Sequence, residues 1–243
     1  MKYNYCILND KKSSLIKGLL IQSLPIISKP QMRTNIDEID GRDGDIVTKL
    51  GYAAYDRTMS IGLFGDFDIY EVIDYFNSEG EAIFSNEPEM IYKYQIINQI
   101  DFEKLLRFRT AEVVFHCQPF KYSSFRERLS FDLENPIQIY NQGNVYSKPK
   151  FFVTDENTFF ETARHIYLDG NLVITIKQPP NAVEVASAIC IDTEKMQATV
   201  GDEYGSYMNR YVTCDYLNFK VTQGEHTIST DWFGEITNIS RWI

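Results

Sequence analysis

Ala111-Glu112-Val113-Val114-Phe115-His116-Cys117-Gln118-Pro119-Phe120 decides the class of this fold. Ala111, Val113, Phe115 and Cys117 occupy every second position, which is the period of a strand that buries one face. Pro119 has no N–H for a ladder, so the strand is expected to stop there. Similar stretches lie upstream: Ile46 with Thr48 and Leu50, Tyr55 through Leu63, Glu81 to Phe84, and Ile91 to Ile100. The apolar piece from Leu15 to Ile27 also reads as strand, followed by a polar, acidic stretch from Asn35 to Asp45. Within that stretch Gly41-Arg42-Asp43-Gly44 carries two glycines able to take positive φ, and it marks a chain reversal.

One helix is signed in this half. Asp68 and Glu71 have the spacing of a capping box, Ile69, Val72, Ile73 and Phe76 share a face, and Gly80 supplies a stop. The expected span is Ile69 to Ser78. Periodicity lapses from Ser130 to Pro136, so Asn135-Pro136 is read as the connection between two domains, 1–134 and 135–243. Beyond it the pattern is all strand: Ile137 to Tyr140, Phe151 to Thr154, Ala163 to Leu168, Leu172 to Ile176, Val183 to Ile191, Met196 to Val200 and Thr227 to Phe233. Turn signals at Asn141-Gln142-Gly143, Asp169-Gly170-Asn171 and Gln178-Pro179-Pro180 separate them. Short strands with no helix between them point to a β-sandwich.

Composition agrees with a mainly β protein. The 243 residues are 44% apolar and 24% charged, enough hydrocarbon for a sizeable core, and the length suits two ordinary domains. Sixteen Tyr, sixteen Phe and two Trp favour pleated surfaces. The formal charge of −10 repels phosphate backbones, which disfavours conventional nucleic-acid binding. No apolar run is long enough for a membrane span, and the amino terminus lacks an apolar signal segment, so cytoplasmic synthesis is expected. Cys6, Cys117, Cys190 and Cys214 form no C-x-x-C motif and are expected as free thiols.

No motif for chemistry emerges. His116, His165 and His226 lack metal-ligand spacing, and His116 and Cys117 point to opposite faces of one strand, so no metal is expected. Aligning Asp40-Gly41 with the turn of an EF-hand puts Ile36 and Val47 where oxygen ligands belong. Gly62 and Gly65 fit no phosphate-binding fingerprint, no G-x-S-x-G elbow is present, and no cofactor or catalytic residue is assigned. Tyr204, Tyr207, Tyr211 and Tyr216 crowd one stretch. Core packing is the ordinary expectation for them, and a sugar-binding platform at Tyr204 and Tyr207 is the alternative.

Order and spacing along the chain say more. The Ile39-Asp40-Gly41-Arg42-Asp43-Gly44 turn, the helix, Ala82-Ile83-Phe84 with Glu87-Pro88-Glu89, and Val113 to Phe120 resemble, in sequence, elements of the distal tail proteins of siphophages and related prophages. Pro149 to Val153, Cys190-Ile191-Asp192, Gln223 to Ile228 and the closing Arg241-Trp242 extend the likeness. The resemblance implies a virion component at the tail tip, assembled in the host cytoplasm. It implies a homohexameric ring joining the tail tube to the tail-associated lysin or tip protein and the receptor-binding or baseplate proteins. It implies no enzyme. It also implies a ring-forming first domain, a galectin-like β-sandwich second, and last residues that return to the first. Gly41, Arg42, Asp43, Gly44 and Trp242 are then interface or structural positions, and DNA passes through the channel without specific binding. The competing expectation is a carbohydrate-binding β-sandwich module, and a third is a wall-degrading hydrolase.

Overall fold

The computed structural model describes residues 3–132, 135–154, 163–177 and 188–243. The chain divides into two compact units, Met1–Ser124 with Ile243, and Phe125–Trp242. Among the described residues the secondary structure is mainly strand, which is the class expected.

The strands of the first unit are β1 (Cys6–Leu8), β2 (Lys11–Lys12), β3 (Leu19–Ser23), β4 (Met32–Asp37), β5 (Ile46–Tyr52) and β6 (Tyr55–Leu63). Helix α1 (Ile69–Phe76) follows, then β7 (Glu79–Phe84), β8 (Met90–Ile96), α2 (Phe102–Phe108) and β9 (Thr110–Ser123). An antiparallel sheet runs in the order β2-β1-β7-β8-β9-β6-β3. Met59, Ile61, Phe84, Tyr92, Val113 and Phe115 fill its buried face. Phe115 sits edge-on to Phe84 and Tyr94, ring centroids 5.3 Å apart in both pairs, a geometry that satisfies the ring quadrupoles. Val72, Tyr75 and Phe76 of α1 and Leu105 of α2 close over the same core.

Helix α1 begins as its sequence demands. The Asp68 carboxylate accepts from the Tyr70 and Glu71 N–H groups, 2.9 and 3.4 Å away. Its end differs from expectation: Asn77 caps it, and Gly80 lies inside β7 at φ +138°. A second helix, α2, joins the one expected. Asp101 caps its start, accepting from Lys104 N–H at 2.8 Å, and Arg109 ends it in the left-handed region at φ +59°.

Strand β9 does not stop at Pro119. Its pairing with β6 ends at Tyr55 opposite Cys117, and its register with β8 shifts between Tyr92 and Tyr94. Pro119 therefore lies in a bulge where no ladder bond is required of it, and the strand continues to Ser123.

The second unit holds β10 (Glu127–Phe131), β11 (Ile137–Asn141), β12 (Lys150–Thr154), β13 (Arg164–Leu168), β14 (Asn171–Ile176) and β15 (Ala188–Asp192). After them come β16 (Gln197–Val200), β17 (Val212–Cys214), β18 (Gly224–Thr230), β19 (Phe233–Asn238) and β20 (Arg241–Trp242). The segment from Ser130 that reads as aperiodic begins inside β10, which pairs with β19 from Glu127 opposite Asn238 to Phe131 opposite Gly234. Two five-stranded antiparallel sheets, β10-β19-β12-β15-β16 and β11-β18-β13-β14-β17, share one core. Phe151, Ile189, Ile191 and Ile236 from the first meet Ile139, Ile166, Ile174 and Ile228 from the second, which makes a β-sandwich. Gly143, in the Asn141-Gln142-Gly143 turn, lies directly against the Arg241 backbone, where a side chain would collide. The Gln178-Pro179-Pro180 turn, Glu134 at the domain boundary, and the start of the Val183 to Ile191 strand lie outside the described residues.

Candidate assembly surface

Strands β4 and β5 form an antiparallel hairpin that is a separate two-stranded sheet. Gly41 and Gly44 make the reversal with φ of +83° and +76°, and Arg42 N–H donates to the Ile39 carbonyl at 3.1 Å. Every residue from 33 to 51 is exposed. That exposure includes Ile36 at 56%, directly opposite Val47 at 53%, together with Ile39, Ile46 and Leu50. Burying an aliphatic side chain of this size releases about 1.5–3 kcal/mol, which this hairpin does not collect within its own chain. A two-stranded ribbon standing in water is marginal by itself, and clustered exposed aliphatics mark an interaction surface.

The hairpin is also charged in one sense. From Asp37 to Asp45 it carries Asp37, Glu38, Asp40, Asp43 and Asp45 against Arg42, five negative charges and one positive, for a net −4. Gly41, Arg42, Asp43 and Gly44 thus form one exposed tip.

The other positions singled out in the sequence lie in the second unit. Tyr204 and Tyr207 are 87% and 75% exposed, so core packing does not explain them. Tyr211 and Tyr216 do pack against the sandwich core. Trp242 is half-buried, whereas Trp232 is buried in that core. Beside Trp242, Arg241 is the buried residue: its Nε and Nη2 donate to the Tyr146 carbonyl at 2.9 and 2.7 Å, and Nη1 donates to Glu194 at 3.3 Å.

Each histidine meets an aspartate. His116 Nδ1 is 2.7 Å from Asp56, His165 Nδ1 is 2.8 Å from Asp231, and His226 Nδ1 is 2.7 Å from Asp169. His226 Nε2 is also 3.2 Å from the Thr222 hydroxyl, a Thr-His-Asp order like that of a nucleophilic triad. The surroundings give it a different use. The same Nε2 lies 3.1 Å from the Thr222 carbonyl, and Asp169 further accepts from Thr227 N–H at 2.8 Å. These contacts tie the Asp169-Gly170 turn to β18. The His226 hydrogen bond, then the Thr227 N–H, hold the Asp169 carboxyl below the usual aspartate range.

In the first unit, Arg57 is only 2% exposed. Its guanidinium stands 4.1 Å from the Tyr92 ring centroid, donates to the Ile26 carbonyl at 3.2 Å, and lies 3.6 Å from Glu87. Glu87 accepts from the Tyr92 hydroxyl and from Lys121 at 2.9 Å. Burial alone would raise the Glu87 carboxyl, but those hydrogen bonds and the Lys121 and Arg57 charges outweigh it and hold it low. This cluster is internal to the core, not a cleft open to substrate. Burial pushes the Cys6 and Cys117 thiols up to about 11 and about 12, which keeps them protonated and unreactive. Among the described residues no group of three or more His, Cys, Asp or Glu is placed to hold a metal ion, and no helix is long and apolar enough to cross a membrane.

A helix-bearing antiparallel β unit followed by a two-sheet β unit is a fold shared with phage distal tail and baseplate proteins. The SPP1 Dit protein (gp 19.1), described as a paradigm of hub adsorption apparatus in phages infecting Gram-positive hosts, matches over 100% of both chains, with a TM-score of 0.67 and 13% identity. A chain of the phage P2 baseplate in its activated conformation with Ca matches over 99% of this chain and 98% of that one, with a TM-score of 0.58 and 12% identity. Its counterpart with Sr gives 0.52 at 11% identity, over 97% of each chain. Comparison with protein families and with curated proteins found no match.

Proposed function

We propose that this chain is a structural subunit of a phage tail tip. In this reading it is a distal tail hub whose copies close into a six-membered ring, joining the tail tube to the tail-associated lysin or tip protein and to the receptor-binding apparatus. It works by shape and performs no chemical step. The observation that carries the reading is the end-to-end match to the SPP1 Dit fold, with no part of either chain left over. The exposed hairpin supports it, because a ring needs two different patches per subunit that meet after a fixed rotation. The first unit builds the ring, and the second, a galectin-like sandwich, faces outward. With a net charge of −10, a lumen wall of the same sign as DNA lets DNA slide past without adhering. Assembly takes place in the host cytoplasm and the finished product is the virion. Negative-stain images of the purified chain should show rings with a central hole; particles that stay monomeric at every concentration would overturn the proposal.

Tyr204 and Tyr207 favour one second reading, a carbohydrate-binding module for cell-wall polysaccharide. Two phenol rings held in water suit stacking on sugar faces. Retention on purified cell-wall polysaccharide that disappears in Tyr204→Ala/Tyr207→Ala would establish it.

A further inference from the structure

The chain contains three Asp-Gly steps, Asp40-Gly41, Asp43-Gly44 and Asp169-Gly170. In each, the residue after the aspartate has no Cβ, so its backbone nitrogen can approach the aspartate side chain without collision. All six residues are exposed, the three glycines have positive φ, and a Cβ built on any of them would meet nothing within 4 Å. By sequence, exposure and glycine conformation the three steps are alike. They differ in what holds the carboxylate. Among the described residues neither Asp40 nor Asp43 has a hydrogen bond or an ion pair, and the Gly41 and Gly44 N–H groups donate to no acceptor. At Asp169 both oxygens are taken: Oδ2 lies 2.7 Å from His226 Nδ1, and Oδ1 accepts from Thr227 N–H at 2.8 Å, both partners on β18. Bringing the Asp169 carboxyl carbon to the Gly170 nitrogen means turning the side chain away from β18 and losing both bonds. The same two contacts favour the ionised carboxylate, which has no good leaving group.

We propose that Asp40 and Asp43 are sites of spontaneous isomerisation to isoaspartate, and that the His226 and Thr227 contacts protect Asp169 from the same reaction. The glycine nitrogen gives up its proton and attacks the aspartate Cγ; the new C–N bond closes a five-membered succinimide as the carboxyl C–OH bond breaks and water leaves. A second water then adds to one of the two imide carbonyls and breaks its C–N bond. Opening at the side-chain carbonyl restores aspartate, and opening at the main-chain carbonyl leaves the chain running through the side chain as isoaspartate. One water is lost and one gained, nothing is oxidised or reduced, and no partner molecule other than water is needed. The product keeps its negative charge but carries one more methylene in the main chain, inside the reversal that Gly41 and Gly44 make. The reaction does not depend on any role of the chain in a tail.

Because each completed cycle takes up one oxygen from solvent, the test is to hold the folded full chain in mildly acidic water labelled with heavy oxygen and then digest it with trypsin in ordinary water. Cleavage after Arg33, Arg42, Lys49, Arg164 and Lys177 puts the three steps in separate peptides, 34–42, 43–49 and 165–177. Fragmentation should place the label on Asp40 and Asp43, and an aspartate-specific protease, which does not recognise isoaspartate, should lose its cleavage there. Asp169 should label at least about tenfold more slowly, the equivalent of one charge-assisted hydrogen bond. In urea the three peptides should label alike, and in folded His226→Ala the label on Asp169 should rise toward that of the tip. Unlabelled tip peptides, or equal labelling of all three in the folded chain, would overturn the proposal. Slow labelling of Asp169 that persists in urea would assign its protection to local sequence and overturn the role of His226 and Thr227.

Discussion

Arg57 and Glu87 face each other at 3.6 Å with side chains 1% and 13% exposed, an ion pair set into the aromatic core of the first unit. Removing one member of a buried pair strands the other charge out of water. Glu87→Gln should therefore cost about 3 kcal/mol, read from urea denaturation at neutral pH. Because folding holds Glu87 below its ordinary value, its contribution is complete above that value and is lost as pH falls through the lower folded one. Stability of the wild type should drop in that acid window, and the variant should show a flatter acid limb. An unaltered acid limb would mean Glu87 does not set the dependence.

The helix caps supply a local test. Asp68 and Asp101 each satisfy orphan N–H groups at a helix start. Asp101→Ala should lower stability by about 1 kcal/mol, and Asp101→Asn by much less, since asparagine also caps. Equal losses in the two variants would show that the carboxylate acts by charge alone.

Of the two tryptophans, Trp232 is the core residue. Trp232→Ala should cost about 3–5 kcal/mol and Trp242→Ala less, because the latter ring is only partly withdrawn from water. Chemical denaturation of both variants decides the ranking, and the reverse order would make the terminal indole the principal anchor.

All four cysteines are free, three of them buried. With the Cys6, Cys117 and Cys214 thiols raised to between about 11 and about 12 by burial, an aromatic disulfide reagent at pH 8 should modify the folded protein slowly and all four thiols once urea is added. Rapid reaction before unfolding would contradict the buried placement.

Features set by near neighbours in the chain were legible from the residues. Tyr55 to Leu63 alternates except at Arg57, a charge on the buried face, and is a strand with those bounds, Asp68 caps α1, and Gly41 and Gly44 take the positive φ that their turn requires. Features set by distant partners were not. Pro119 reads as a stop until its bulge against β8 is known, and α2 hides its end because Arg109, not glycine, adopts the left-handed conformation. The three His–Asp pairs join residues 60, 66 and 57 positions apart, which no local pattern reveals. Exposure behaves the same way: alternation reads identically whether a strand covers a core or stands in water, so the hairpin's open aliphatics and the bare rings of Tyr204 and Tyr207 emerge only in three dimensions.

Strand β9 runs fourteen residues, roughly 46 Å at about 3.3 Å per residue. Its rungs with β6 extend without a break from Gly62 opposite Thr110 to Tyr55 opposite Cys117. A pull along this axis loads all those rungs together in shear, so none can be peeled open ahead of the next. The first unit is therefore stiffest along β9, the direction in which tension would be carried from one end of the sheet to the other.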